Sequence, residues 1–204
     1  MVGIDHLFAN SLNGIIRETL GKQATKKIED RLFEKFGISL TQSIEEFDKL
    51  DLVLREFFGK GADGLEKKFF ENVFQTKSKK SKSDWYTITD SHVNQVILQA
   101  FGDYEKKKIL ESVSAEPKII QDILKECDIP QTSGYRKINS LIDDGLIATS
   151  GQVVTENKKI NKYLSVFSNL KINISIEKDN KVTIDAQLNN LQKQTSSILK
   201  TIQF

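Results

Sequence analysis

The run from Ile119 to Thr155 permits few folds, because two helical faces, a proline break and a strand pattern follow one another with almost no spare residues. Ile119, Ile120, Ile123, Leu124 and Cys127 fall on one face at a period near 3.6. Asp128-Ile129-Pro130 ends that helix, since proline has no N–H to donate and restricts the residue before it. A second helical face follows, with Ile138, Leu141 and Ile142 turned inward and Thr132, Ser133, Arg136, Lys137 and Ser140 facing outward. Asp143-Asp144-Gly145 closes it, Gly145 being placed for a left-handed C-terminal cap. Ser150-Gly151, between Leu146–Thr149 and Val153–Thr155, predicts a tight hairpin turn. With a further short helix in DYEKKKILESV at 103–113, the pattern predicts a helix-turn-helix followed by a β-hairpin wing.

The stretch from Ile123 to Ile147 resembles archaeal winged-helix transcription regulators of the broad arsenic-repressor-like (ArsR-type) group. The residues that carry the resemblance are Ile129, Pro130, Thr132, Ser133, Tyr135, Arg136, Ile138, Leu141, Gly145, Leu146 and Ile147, and IPQTSGYRKINSLIDDGLI is its most specific run. Ala100-Phe101-Gly102-Asp103 and Ile109-Leu110 resemble the entry to that family's first helix. The resemblance implies a partner, double-stranded DNA, and a function, sequence-specific regulation of transcription. Arg136 and Lys137 are then the leading candidates for phosphate or base contact, with Thr132, Ser133 and Ser140 near base edges. Tyr135 either touches a phosphate or packs against the preceding helix, and Lys158, Lys159 and Lys162 of the wing meet adjacent phosphates. Gly134 stands where the family has a small aliphatic residue. A glycine inside a helix costs about 1 kcal/mol relative to alanine, which predicts a loosened start to this helix.

Residues 1–75 read differently. Nine of the twelve phenylalanines lie there, and apolar residues recur at helical spacing in 7–20, 28–36, 44–58 and 65–74, with Gly21, Gly37 and Gly59-Lys60-Gly61 between them. No β-rich run is visible. FGISLTQSIEEFDKLDLVLREFFGKGADGLEKKF resembles the small helical output-type domains found beside winged helices in ammonia-oxidising archaea. That likeness implies a regulatory or oligomerising module and a protein partner for residues 1–75.

The net charge of +2 is concentrated in TKSKKSKS at 76–83, which holds four lysines and no acid. The segment has no apolar residue to bury, so it reads as a basic flexible linker, acting either as an arm along DNA phosphates or as a solvated tether. After it, Trp85-Tyr86 either stacks on bases or packs at the junction, and Ser91 is placed to cap a helix over 92–101. The expected division is therefore a helical domain at 1–75, the linker, a winged helix-turn-helix at 84–168, and a β-hairpin with a C-terminal helix at 169–204. In fold class the chain is mainly α with small β (α+β). Strands are expected at 170–176 and 181–186. Leu188, Leu191, Thr195, Ile198 and Ile202 then form a short heptad seam that either joins two copies into a homodimer or docks within the chain.

The chemical motifs point away from catalysis. GKGADG at 59–64 lacks the Lys-Ser/Thr pair and preceding strand of a phosphate loop, so it reads as a helix–helix turn. The two histidines, His6 and His92, lie in separate helical patterns, and Cys127 is a lone thiol on an apolar face; these predict no metal, no cofactor and a structural cysteine. One cysteine, no long apolar run and no signal-like start predict a cytoplasmic protein with no membrane segment. The balance of charge outside the linker supports a second expectation, an adaptor that docks protein partners through the winged helix and the helical domain.

Overall fold

The computed structural model describes residues 3–76, 85–155, 158–174 and 182–202. The chain opens with α1 (Ile4–Phe36), which Gly21 breaks into two arms by taking φ 74°, ψ 166°. A straight helix would set Arg17 and Glu29 about 18 Å apart, yet they are ion-paired, so the arms fold back on each other. Next come α2 (Leu40–Glu45), α3 (Phe47–Phe58), a single 3-10 turn (Gly59–Gly61) and α4 (Ala62–Glu71). Ser39 starts α2 with a reciprocal capping box to Gln42. GKGADG thus falls at a helix–helix turn.

The next segments build a sheet that the sequence hides. β1 (Phe74–Thr76) pairs antiparallel with β2 (Trp85–Ile88), so the basic segment joins two neighbouring strands and is not a tether between separate domains. Lys77, Lys79, Lys80 and Lys82 themselves lie outside the described residues. After α5 (Ser91–Gly102) and α6 (Tyr104–Ser112) come the two-residue β3 (Lys118–Ile119), α7 (Ile120–Cys127) and α8 (Gln131–Asp143). β4 (Ile147–Thr155) and β5 (Lys158–Ser165) form a hairpin, and β6 (Phe167–Ile174) and β7 (Val182–Leu188) another. Two short helices follow, α9 (Asn190–Thr195) and α10 (Ser197–Ile202). The fold is α+β, with antiparallel sheets ordered β1-β2-β7-β6 and β3-β5-β4.

Several sequence expectations need correction. The chain reverses between Thr155 and Lys158; Ser150-Gly151 is instead a bulge inside β4, set against the single Lys162 of β5, with Gly151 at φ 96°. Asp90, not Ser91, caps α5, its carboxylate accepting from Val93 N at 2.8 Å. Residues 1–75 end in a strand, and Trp85 and Tyr86 belong to the sheet. Tyr86 meets Phe74 edge-on at 6.0 Å and Lys171 covers the Trp85 ring at 4.3 Å. Lys178-Asp179-Asn180, the expected turn between β6 and β7, lies outside the described residues.

The seam at 188–202 is not one helix. Leu188 is in β7, and Ser196 takes an extended conformation between α9 and α10. Ile198 and Leu199 are buried among the N-terminal helices, so the seam docks within its own chain. Asp5 in the first turn of α1 accepts from Ser196 Oγ, from Ser197 N at 2.8 Å and from Ser197 Oγ at 3.1 Å. Burial pushes the Asp5 carboxyl above its ordinary range despite those bonds. Ile4 N donates to Gln192 Oε1, and Phe47 N donates to Ser197 Oγ at 3.0 Å. One apolar core therefore runs from Ile4 through Phe47, Phe70 and Phe74 to Ile138, Leu146 and Leu199, crossing every expected domain boundary. No helix among the described residues is long and apolar enough to cross a membrane.

Candidate nucleic-acid interface

The α7–α8 connection is short because each of its residues has a backbone task. Asp128 stops α7 by turning left-handed (φ 54°, ψ 50°), the one non-glycine among the described residues with positive φ. A short polar side chain makes that conformation affordable at this position. Ile129 N then donates to Leu124 O at 3.0 Å, closing the helix end, while the Ile129 side chain drops into the core. Pro130 leads into α8 and needs no N–H partner there.

Gly134 fixes how closely the two helices meet. A Cβ at this position would lie 2.3 Å from Leu124 Cδ2 and 3.2 Å from Ile129 Cγ2. In place of the expected loosening, Gly134 marks a close packing point between α7 and α8, where an added methyl group would require the Leu124 side chain to shift.

With Gly134, Ile138 and Leu141 buried, the exposed arc of α8 comprises Gln131, Thr132, Tyr135, Arg136, Asn139 and Asp143. Of the five residues expected to face outward, Thr132 and Arg136 do so, while Ser133, Lys137 and Ser140 lie on the flank that α6 covers. Lys137 Nζ is bound by the Asp103 carboxylate and lies 3.3 Å from Glu105 Oε2. The bond from Lys137 and the backbone N–H of Lys106 hold Asp103 below its usual range, and Asp103 in turn holds Lys137 above its own. Ser140 Oγ accepts from Lys106 Nζ at 2.8 Å, and Ser133 Oγ donates to Pro130 O at 3.1 Å. Lys137 and Ser140 thus tie α8 to α6 and are not presented outward, and Ser133 is half-buried with its hydroxyl turned to its own backbone.

Of the remaining candidates, Thr132, Tyr135 and Arg136 stand exposed on α8 and Lys158 and Lys159 on β5, while Lys162 is half-buried opposite the bulge. Tyr135, 39 % exposed, borders an open groove of about 820 Å³ together with Leu124, Ile129 and Pro130, so its ring rests at the edge of the α7 packing. α8 leads into the root of the β4–β5 hairpin; Lys158 and Lys159 sit at its far end, roughly 25 Å along the strand, beside the 72 % exposed Val154. The residue overlooked by the sequence reading is Asn139. It shares the arc with Thr132 and Arg136, and its amide makes no hydrogen bond among the described residues. Its spacing of three from Arg136 and seven from Thr132 is the signal that marks the shared face.

Arginine pairing separates this surface from the rest of the molecule. The chain has four arginines. Arg17 is bound by Glu29, Arg31 by Glu56, and Arg55 by Asp51 and Asp63. Arg136 alone has no carboxylate partner among the described residues.

The far end of α8 rests on the N-terminal helices. Gly145, at φ 73°, leaves no room for a Cβ, which would lie 2.7 Å from Leu7 N and 2.9 Å from Gly3 O. His6 Nδ1 lies 2.8 Å from Glu45 Oε1 and Nε2 lies 2.8 Å from the Asp143 carbonyl oxygen. Both neighbours accept, so the two bonds are made together when each ring nitrogen carries a proton. Cys127 is buried and burial raises its thiol pKa, which suits a packed, unreactive thiol. Among the described residues no group of three or more His, Cys, Asp or Glu is arranged to hold a metal ion. Comparison with protein-family models, curated proteins and solved structures finds no match to this chain.

Proposed function

We propose that this protein is a sequence-specific, double-stranded-DNA-binding regulator of transcription that works through a winged helix-turn-helix. The order α6–β3–α7–α8–β4–β5, with the three strands arranged β3-β5-β4, supplies the helices and the wing that this reading needs. The resemblance of residues 123–147 to ArsR-type archaeal regulators points the same way. The observation that carries the proposal is Arg136, unpaired among the described residues, at the middle of an uncovered polar arc, while the other three arginines are all held by carboxylates.

In this reading α8 enters the major groove, which is about 12 Å wide and admits a helix. Thr132, Arg136 and Asn139 face base edges, Tyr135 lies toward the backbone beside α7, and Lys158 and Lys159 meet phosphates. The four lysines at 77–82 add attraction that does not depend on sequence. A homodimer through the C-terminal helix is not part of the proposal, because the apolar residues of that segment are used inside the chain.

Binding of genomic DNA fragments measured across a salt series tests the reading. Log affinity should fall linearly with log salt, with selected fragments held well above random DNA. Equal affinity for all fragments, or none at low salt, removes it. A second reading, an adaptor that docks a protein, draws on the groove of Leu124, Ile129, Pro130 and Tyr135 and on the ten basic and ten acidic residues of 103–165. Partner capture that survives Arg136→Ala and fails with Tyr135→Ala would favour it.

A further inference from the structure

The exposed arc of α8 has a readable length and a defined end. Its last member, Asp143, is acidic, repels phosphate and lends its carbonyl to His6, and two residues later Gly145 lies against α1. The part free to enter a groove therefore runs from Thr132 to Asn139. At 1.5 Å per residue that is about 10 Å, or roughly three base pairs at 3.4 Å each.

Within this stretch two side chains have both freedom and a two-point recognition geometry. Among the described residues, Arg136 carries a guanidinium with no intramolecular acceptor, and Asn139 carries an amide with none of its donors or acceptors used. A guanidinium matches the O6 and N7 acceptors of guanine, and a primary amide matches the N6–H donor and N7 acceptor of adenine. The two residues are three apart on one face, about 4.5 Å along the helix axis, which is close to one base-pair step. Thr132, one turn before Arg136, has a hydroxyl that suits several bases, and its methyl group suits thymine. Lys137, the other cation of this helix, is withdrawn by Asp103 and Glu105 and leaves the arc to Arg136.

We propose that Asn139 is a specificity-determining residue that reads adenine, and that Arg136 reads guanine within two base pairs of it, giving the recognition sequence a core of about three base pairs that contains both. This rests on the DNA-binding reading of the chain. The experiment is selection from a pool of randomised duplexes at low salt, using the full chain and its Asn139→Ala and Arg136→Ala variants. Thermal melting monitors the fold, which neither exposed side chain supports. The wild type should enrich sites carrying A·T and G·C within two base pairs. Asn139→Ala should lose a roughly 5- to 150-fold preference at the A·T position and keep the guanine, and Arg136→Ala should do the reverse. If Asn139→Ala keeps the wild-type preference at every position, or the enriched core lacks this A and G pair, the inference is overturned and the DNA-binding reading stands. If the wild type enriches nothing and binds without salt dependence, both are overturned.

Discussion

Asp103 binds Lys137 with one carboxylate oxygen while the other accepts the backbone N–H groups of Glu105 and Lys106, each at 3.0 Å. A single side chain thus caps α6 and holds the flank of α8. That double use decides which way α8 presents its surface. Replacing Lys137 by alanine should cost stability, about 1 kcal/mol for a partly exposed charged pair, and should leave the sequence preference of bound DNA unchanged. Denaturant unfolding beside a competition assay separates the two effects. A variant of full stability with altered preference would put Lys137 back on the reading face.

The sequence carried the helices well, because burial on one side of a helix repeats in the chain at a period near 3.6. The break at Asp128-Ile129-Pro130 was legible for the same local reason, since proline and the residue before it act on their own backbone. The exposed face of α8 was legible only in part. Thr132 and Arg136 do face outward. Ser133, Lys137 and Ser140 have outward-facing chemistry too, and only the arrival of α6, with Asp103 and Lys106, turns that side inward. Ser150-Gly151 was ambiguous, because a serine-glycine pair suits a hairpin turn and a bulge equally, and pairing with distant β5 chooses the bulge. The sheet β1-β2-β7-β6 joins segments about a hundred residues apart and leaves little local trace of itself. The 3-4 spacing from Leu188 to Ile202 survives a break at Ser196, so spacing alone cannot report one continuous helix.

Two glycines with positive φ give a matched test of the contact between α1 and α8. At Gly151 a Cβ meets nothing within 4 Å, so Gly151→Ala should cost only the backbone preference, about 1 kcal/mol. At Gly145 a Cβ would run into the backbone of Gly3 and Leu7, which cannot rotate away. Gly145→Ala should therefore lose about 2–4 kcal/mol, strain and overpacking together. Unfolding midpoints of the two variants supply the comparison, and equal losses would mean that α1 does not press on the α8 cap.

Glu66 sets a pH dependence in the N-terminal helices. Burial, then the bond to and charge of Asp51, push its carboxyl up to about 8, and Oε1 has no hydrogen-bond partner among the described residues. The folded chain thus holds this proton where the unfolded chain, with an ordinary glutamate near 4.5, has released it. Between those values the native state binds more protons, so this group makes stability fall as pH rises from about 4.5 to about 8 and adds no slope above. Glu66→Gln keeps the shape and cannot ionise. It should be more stable than the parent at pH 7 and show a flatter profile through this window. Parallel stability–pH curves for the two proteins would remove the assignment.

The C-terminal segment gives the last prediction. Ile198 and Leu199 are buried beside α2 and α3, and their neighbours Ser196 and Ser197 satisfy Asp5 and Phe47 N. Ending the chain after Leu188 keeps every strand and removes these contacts. Each buried aliphatic side chain is worth roughly 1.5–3 kcal/mol, and the exposed cavity and the unpaired Asp5 carboxylate add to the loss. The total approaches the whole stability of a typical domain, about 5–15 kcal/mol. A dimerising helix would behave otherwise, since its removal would leave a folded monomer of half the particle mass. Here the truncated chain should lose its cooperative melting transition and aggregate, while the full chain keeps one transition. Circular dichroism melting with light scattering on both proteins distinguishes these outcomes. A truncated protein with the parental melting temperature would show that residues after 188 are not part of the core.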